Sequence, residues 1–213
     1  MITQSLRDRH IDLWYKVLDH PFVVELYDGT LDLYKFIYYI KQDYNYLVAL
    51  VKTFSIIAAK APDLNKARVA LDLAYGTVTG ELKNYIDILN MLNISLDEVI
   101  RTEPNTVNIA YMNHMIATAY EHDFWTGLTA TLPCMWTYLD IAERHRSRLE
   151  KNKNRIYVKW ASTYYSEEYK RLLDLIRNMI DSSGKRVEDL EWVFIRSLKY
   201  EYMFWDAAYR LEE

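Results

Sequence analysis

The sequence predicts an all-α fold, one multi-helical bundle spanning residues 1–213. Three observations carry this. Apolar residues recur at helical spacing nearly throughout, and no pair of segments shows the period of two that half-buried strands need. Turn formers are scarce: Gly 5 and Pro 4 make 9 of 213 residues, about 4% against roughly 12% in average usage. A hydrophobic content of 51% argues against disorder and supplies a sizeable core.

The elements follow in order. A first helix is expected over 4–19, with Thr3 as its cap and Ile11, Trp14, Tyr15 and Leu18 on one face. Pro21 in His20-Pro21-Phe22 stops it. A short helix over 22–28 ends at Gly29, a natural left-handed stop. Thr30 can cap a long helix over 31–60 that carries Phe36, Tyr39, Ile40, Asp43, Tyr46, Leu47, Leu50 and Phe54; Pro62 marks its end. Helical spacing returns over 65–92, interrupted by Gly76 and Gly80. Ser95 to Glu98 reads as a capping box opening one short turn. Pro104 is placed at the start of a helix over 105–121, and Asp123 caps the next, over 123–147. The polar stretch 147–154 reads as a loop and 155–165 as a helix. Ser166 caps a helix reaching 181, Ser182 to Gly184 form a turn, and a last helix covers 187–212.

Composition excludes several classes. A net charge of −4 is a poor prior for nucleic-acid binding. One cysteine rules out an internal disulfide and a cysteine-based zinc site. The N-terminus lacks a signal-type apolar run, and no stretch approaches the ~18 apolar residues of a membrane span. A soluble, cytoplasmic protein is therefore expected. Phosphate-binding and dinucleotide glycine motifs, HExxH and ExxH are all absent, and His10, His20, His114, His122 and His145 form no ligand-spaced pair. No metal and no cofactor are expected. The basic strip from Arg144 to Arg155 reads best as a solvated helix end.

Three segments carry chemistry. Pro133 inside an apolar helical run bends the helix and precedes the only cysteine, Cys134, with Tyr138 on the same face. Taken alone, Cys134 reads more readily as a small buried hydrophobe. Asp43 and Tyr46 lie at i and i+3 in an otherwise apolar helix, and Glu201 shares a face with Ile195, Leu198 and Trp205. The simpler reading of Asp43 is a bridge to an arginine or a cap on another helix, and that of Glu201 a buried salt bridge. Together, however, three apolar helices each carrying one reactive group can point Asp43, Cys134 and Glu201 into one tyrosine-lined cavity. That set supplies a nucleophile and two acids for displacement on a heteroaromatic ring.

At this point the chain resembles the TenA family, also called thiaminase II, over nearly its whole length. The resemblance rests on Trp14, His20-Pro21-Phe22, the run Gln42 to Leu47, Tyr111 and His114, the run Pro133 to Tyr138, Tyr157 with Trp160 and Tyr164, and Tyr200-Glu201 with Phe204-Trp205. It implies a heme-oxygenase-like all-α fold assembled as a homotetramer. It implies cofactor-free hydrolysis of 4-amino-5-aminomethyl-2-methylpyrimidine to the hydroxymethylpyrimidine and ammonia in thiamine salvage, with thiamine itself also split. It further implies Cys134 as nucleophile, Glu201 as proton donor, Tyr46 as the phenol that activates the thiol, Asp43 as the residue that binds the aminopyrimidine, and Tyr111, Tyr138 and Tyr164 as substrate contacts. Tyr165 adjoins Tyr164 and is the alternative there. The cysteine places the chain with the branch that has one. There is one departure: many members carry a histidine about a turn beyond the glutamate that corresponds to Glu81, where this chain has Asn84 and Tyr85, so the stretch 65–92 is assigned no site role. The competing readings are a metal-dependent oxidase on the same scaffold and a non-catalytic, partner-binding helical protein.

Overall fold

Chain order in the computed structural model, which describes residues 1–212, runs α1 (Ile2–Arg9), α2 (Ile11–Leu18), α3 (Pro21–Asp28), α4 (Leu33–Ala59) and α5 (Leu64–Gly76). A five-residue π turn, Thr77–Glu81, leads into α6 (Leu82–Leu92), followed by α7 (Leu96–Ile100), α8 (Thr106–Glu121), α9 (Phe124–Arg144), α10 (Arg146–Leu149) and α11 (Arg155–Ser162). A 3-10 turn, Thr163–Tyr165, precedes α12 (Glu167–Asp181) and α13 (Val187–Arg210). No strand occurs among the described residues. The expected C-terminal limit, 213, lies outside them.

Several boundaries follow local chemistry. Asp63, Ser95, Asn105, Asp123, Asn154 and Ser166 each accept a backbone N–H from the first turn of the helix they open. Gly29 stops α3 at φ +80°. A Cβ there would come within 2.5 Å of Asn152 Oδ1, and the Asn152 amide donates to the carbonyls of Leu26 and Tyr27. Only glycine satisfies both the left-handed backbone and that close approach.

Other boundaries differ from expectation. The expected first helix is two: His10, at φ −122° and ψ 28°, breaks it without a proline or glycine to announce the break. Thr3 lies inside α1, where its N–H and hydroxyl both donate to Asp181. Asp32, rather than Thr30, caps α4 by accepting from Tyr34 N–H. Pro104 precedes the Asn105 cap, so it sits outside α8. The stretch 65–92 divides at the π turn, and the single turn α10, Arg146–Leu149, runs into the start of 147–154.

The frame is set by three long helices. α4 packs against α5, α8, α9 and α13, and α9 packs against α8, α12 and α13. The core between them is a column of aromatic rings. Phe22 stacks on Trp205 at 5.1 Å, Trp205 on Tyr39 at 5.2 Å, and Tyr138 meets Trp205 at 5.3 Å and Tyr164 at 4.7 Å. The column runs from α3 toward the 3-10 turn. Its apolar end is sealed, and its tyrosine end carries hydroxyls that require partners. The basic strip is paired in its first half: Arg144 donates to Asp19 at 2.7 Å, and Arg146 to Glu150 at 3.2 Å. No described helix is long and apolar enough to cross a membrane.

Candidate active site

A cavity of about 230 Å³ opens where α4, α5, the π turn, α9, the 3-10 turn and α12 meet. Its wall includes Asp43, Tyr46, Glu81, Cys134, Tyr138, Tyr164 and Tyr169, with Leu47, Leu50, Phe54, Leu73 and Leu172 as the apolar part. The size suits a single-ring molecule, being below the ~300–1,000 Å³ usual for larger ligands.

α4 delivers Asp43 and Tyr46, which one helical turn places on the same face. Asp43 caps no helix. Among the described residues no Lys, Arg or His pairs with Asp43, Glu81 or Glu201, so the buried-ion-pair reading fails for both acids singled out in the sequence. Burial holds the Asp43 carboxyl well above its ordinary value; the charges of Glu81 and Glu201 add to this, and the Tyr39 hydroxyl offsets part of it.

α9 runs unbroken through Pro133 and brings Cys134 to the cavity wall. Cys134 is partly exposed and lines the cavity. Burial raises the thiol well above its ordinary value, the nearby Glu201 carboxyl raises it further, and the Tyr46 hydroxyl acts the other way. The resting side chain is therefore a neutral thiol that needs a proton acceptor before it can attack. The Tyr46 hydroxyl has full hydrogen-bond geometry with Met115 Sδ, at 3.5 Å, while also lying against the thiol. It thus sits between two sulfurs.

α13 brings Glu201 in one layer behind the wall, 4% exposed. Tyr111 of α8 donates to Glu201 Oε1 at 2.5 Å, and the Tyr111 and Tyr46 rings lie 5.1 Å apart. Burial pushes the Glu201 carboxyl up to about 7, against the pull of the Tyr111 hydroxyl. Tyr138 shares a hydrogen bond with Tyr39 at 3.1 Å. Tyr164 lies on the cavity wall, whereas Tyr165 turns outward to the Arg146 guanidinium.

Four neighbours escaped the sequence reading. Glu81, at the end of the π turn, lines the cavity and is pushed by burial up to about 7. The stretch assigned no role therefore contributes an acid. Its Asn84 donates to Thr163 Oγ1 at 2.7 Å, tying α6 to the 3-10 turn, and Tyr85 donates to the Ile40 carbonyl at 2.7 Å. Tyr169 lines the wall and donates to the Met135 carbonyl at 3.0 Å. Met115 and Tyr39 complete the surroundings. Glu81 carried the one usable signal, an acid between glycine-flanked turns of an apolar helix; a methionine and two more tyrosines among 19 carried none. Among the described residues no group of three His, Cys, Asp or Glu side chains is arranged to hold a metal ion.

Comparison with known proteins adds the following. Residues 7–211 match the profile of the TENA/THI-4/PQQC family. An aminopyrimidine aminohydrolase of Halalkalibacterium halodurans is 30% identical over 210 residues, covering 96% of this chain and 94% of the relative. That of Bacillus subtilis is 30% identical, covering 99% and 90%. Among solved structures, a TenA homologue from P. horikoshii OT3 superposes with a TM-score of 0.95 at 44% identity, covering 99% of each chain. A domain with a heme oxygenase-like fold from Shewanella denitrificans, at 14% identity, superposes with a TM-score of 0.80 over 98% of this chain and 92% of that one, a likeness of fold.

Proposed function

This chain belongs to the TENA/THI-4/PQQC family, and we propose that it is an aminopyrimidine aminohydrolase of thiamine salvage that works by covalent catalysis from Cys134. The substrate is 4-amino-5-aminomethyl-2-methylpyrimidine, released as the hydroxymethylpyrimidine and ammonia, with thiamine as a further substrate. The observation that carries the reading is the shared wall: the only thiol faces a ring-sized cavity beside Asp43, with Glu201 held behind it near neutrality.

A pyrimidine is a poor electrophile until a ring nitrogen is protonated. Glu201, about half protonated near pH 7, supplies that proton. Cys134 gives up its own through the Tyr46 hydroxyl that faces it, a proton that leaves with the amine, and the sulfur bonds to the ring carbon beside the protonated nitrogen. Electron density moves to the exocyclic methylene, the C–N bond breaks, and its electron pair leaves with the amine. Water adds at the methylene, the C–S bond breaks, and the protons return to sulfur and to Glu201. Asp43 accepts from the 4-amino group and fixes the ring's register, while Tyr138 and Tyr164 supply ring faces and hydroxyls around it and Tyr111, behind the wall, serves the substrate through its hydrogen bond to Glu201. Dividing one difficult substitution into addition and elimination is the gain of the covalent route.

In the same reading the protein acts in the cytoplasm as a homotetramer. Exposed apolar side chains such as Leu64, Tyr75 and Tyr120 support self-association.

The test is ammonia release from the aminomethylpyrimidine by purified protein, paired with melting curves in the presence of the hydroxymethyl product. Wild type turns over and its melting point rises with product, since a ligand of the native state stabilises it. Cys134→Ser loses about three orders of magnitude or more in kcat while keeping the product-induced rise. An inert wild type overturns the function, and near-wild-type rates in Cys134→Ser overturn the covalent route.

A further inference from the structure

The mechanism leaves one cavity acid unused. Glu81 lines the cavity, yet among the described residues its carboxylate has neither a hydrogen bond nor an ion pair. Its neighbours are served: Glu201 receives the Tyr111 hydroxyl, and Asp43 has the Tyr39 hydroxyl beside it. Glu81 is half-buried on the cavity wall, and a carboxylate there with no protein donor is free to take its donor from a ligand.

The charge pattern says what kind of donor. Three carboxylates, Asp43, Glu81 and Glu168, lie along the wall and mouth, and no Lys, Arg or His lines the cavity. The titratable groups that share the cavity wall with Glu81 are Asp43 and Tyr46 from α4, Cys134 and Tyr138 from α9, Tyr164 from the 3-10 turn, and Glu168 and Tyr169 from α12; all are acids, phenols or a thiol. A single-ring ligand held by Asp43 at its amino group, with its reacting carbon at Cys134, leaves its remaining substituent for the uncommitted part of the wall. An ammonium offers three donors and one positive charge, and a half-buried carboxylate binds it through charge-assisted hydrogen bonds.

We propose that Glu81 binds the protonated amine that departs from the substrate's exocyclic methylene, and so selects pyrimidines bearing a cationic leaving group over neutral ones. The proposal rests on the aminopyrimidine reading of this cavity. Its reason in the chemistry is plain. When the C–N bond breaks the electron pair goes with nitrogen, so an amine bound as ammonium leaves as neutral ammonia, whereas an unprotonated amine would have to leave as an anion. Glu81 keeps the nitrogen protonated and takes no proton itself in that step. The position is built for it: the π turn carries the side chain into the cavity, and a Cβ at either Gly76 or Gly80 would meet nothing within 4 Å, so the turn has room around it.

Glu81→Gln, which keeps the shape and removes the charge, tests this at pH 8. The kcat/KM for the aminomethylpyrimidine falls about tenfold or more, the scale of a lost charge-assisted bond. The inhibition constant of the neutral hydroxymethyl product changes by less than about threefold, because it carries no charge for Glu81 to meet. Glu81→Asp, which retains the charge, recovers part of the loss. Wild type also releases a measurable proton when the aminomethylpyrimidine binds near pH 7, seen as a buffer-dependent binding enthalpy that Glu81→Gln diminishes. Equal losses for the amine substrate and the neutral product in Glu81→Gln, or no loss for either, overturn the role of Glu81 while leaving the enzyme assignment intact. A wild type inert toward the aminomethylpyrimidine overturns the assignment, and this role with it.

Discussion

Glu201→Gln should make the protein more stable at pH 8 and leave its stability at pH 5 nearly unchanged. The folded carboxyl titrates near 7, against an ordinary value of 4.5. Between those two pH values the unfolded chain has released the proton and the folded protein still holds it. Stability therefore falls as pH rises through this window, and the loss is complete above pH 7. At about 1.4 kcal/mol per pH unit the gap corresponds to roughly 3 kcal/mol. Glutamine has the same shape, accepts the Tyr111 hydroxyl in the same way and never ionises. It escapes that loss but still buries an amide, so about 3 kcal/mol is a ceiling. For a chain of this size ~2–4 °C per kcal/mol converts the ceiling to roughly 6–12 °C in melting point. The assay is thermal unfolding of both proteins at pH 5 and pH 8, read as the change in their difference. A difference that stays constant across the two pH values, or a wild type that gains on the variant as pH rises, would show Glu201 ionised and satisfied in the fold and would refute the electrostatic argument. The same variant should be nearly inactive, which separates stability from function at one atom.

Two further outcomes are expected. Tyr111→Phe removes the donor to Glu201 Oε1; the carboxylate becomes harder to form, and the alkaline limb of the kcat/KM profile, set by loss of the protonated acid, moves up by about one pH unit. Gly29→Ala forces a left-handed alanine against Asn152 and should lower the urea midpoint by the equivalent of about 1–3 kcal/mol with an unchanged slope.

Most of the fold is written in caps and stops that act locally. Asp123, Ser166, Ser95 and Gly29 end or open helices by bonding their own neighbours, so spacing and residue type suffice. The break at His10 is different: the apolar pattern of Ile11, Trp14 and Leu18 continues through it, and the chain turns there to meet tertiary packing that no local signal encodes. Thr30 and Asp32 are both good caps two residues apart, and only the backbone chooses between them. At the site, the sequence could mark Asp43, Cys134 and Glu201 because each interrupts an apolar helix. Glu81 interrupts one as well, but its contribution depends on a change of helical pitch that the glycines around it hint at without specifying. Met115 next to Tyr46 was illegible, since a buried methionine is unremarkable until its sulfur meets a hydroxyl.

The π turn at Thr77–Glu81 amounts to one surplus residue threaded into an otherwise continuous rod. An ordinary helix advances about 100° per residue, so excising that single residue would let α5 and α6 fuse while swinging everything beyond it by more than a quarter of a revolution. Asn84 would lose its grip on Thr163, and the acid would point elsewhere. A length change of one, in a stretch whose helical spacing resumes on either side of it, is enough to unmake one wall of the cavity and leave the bundle standing.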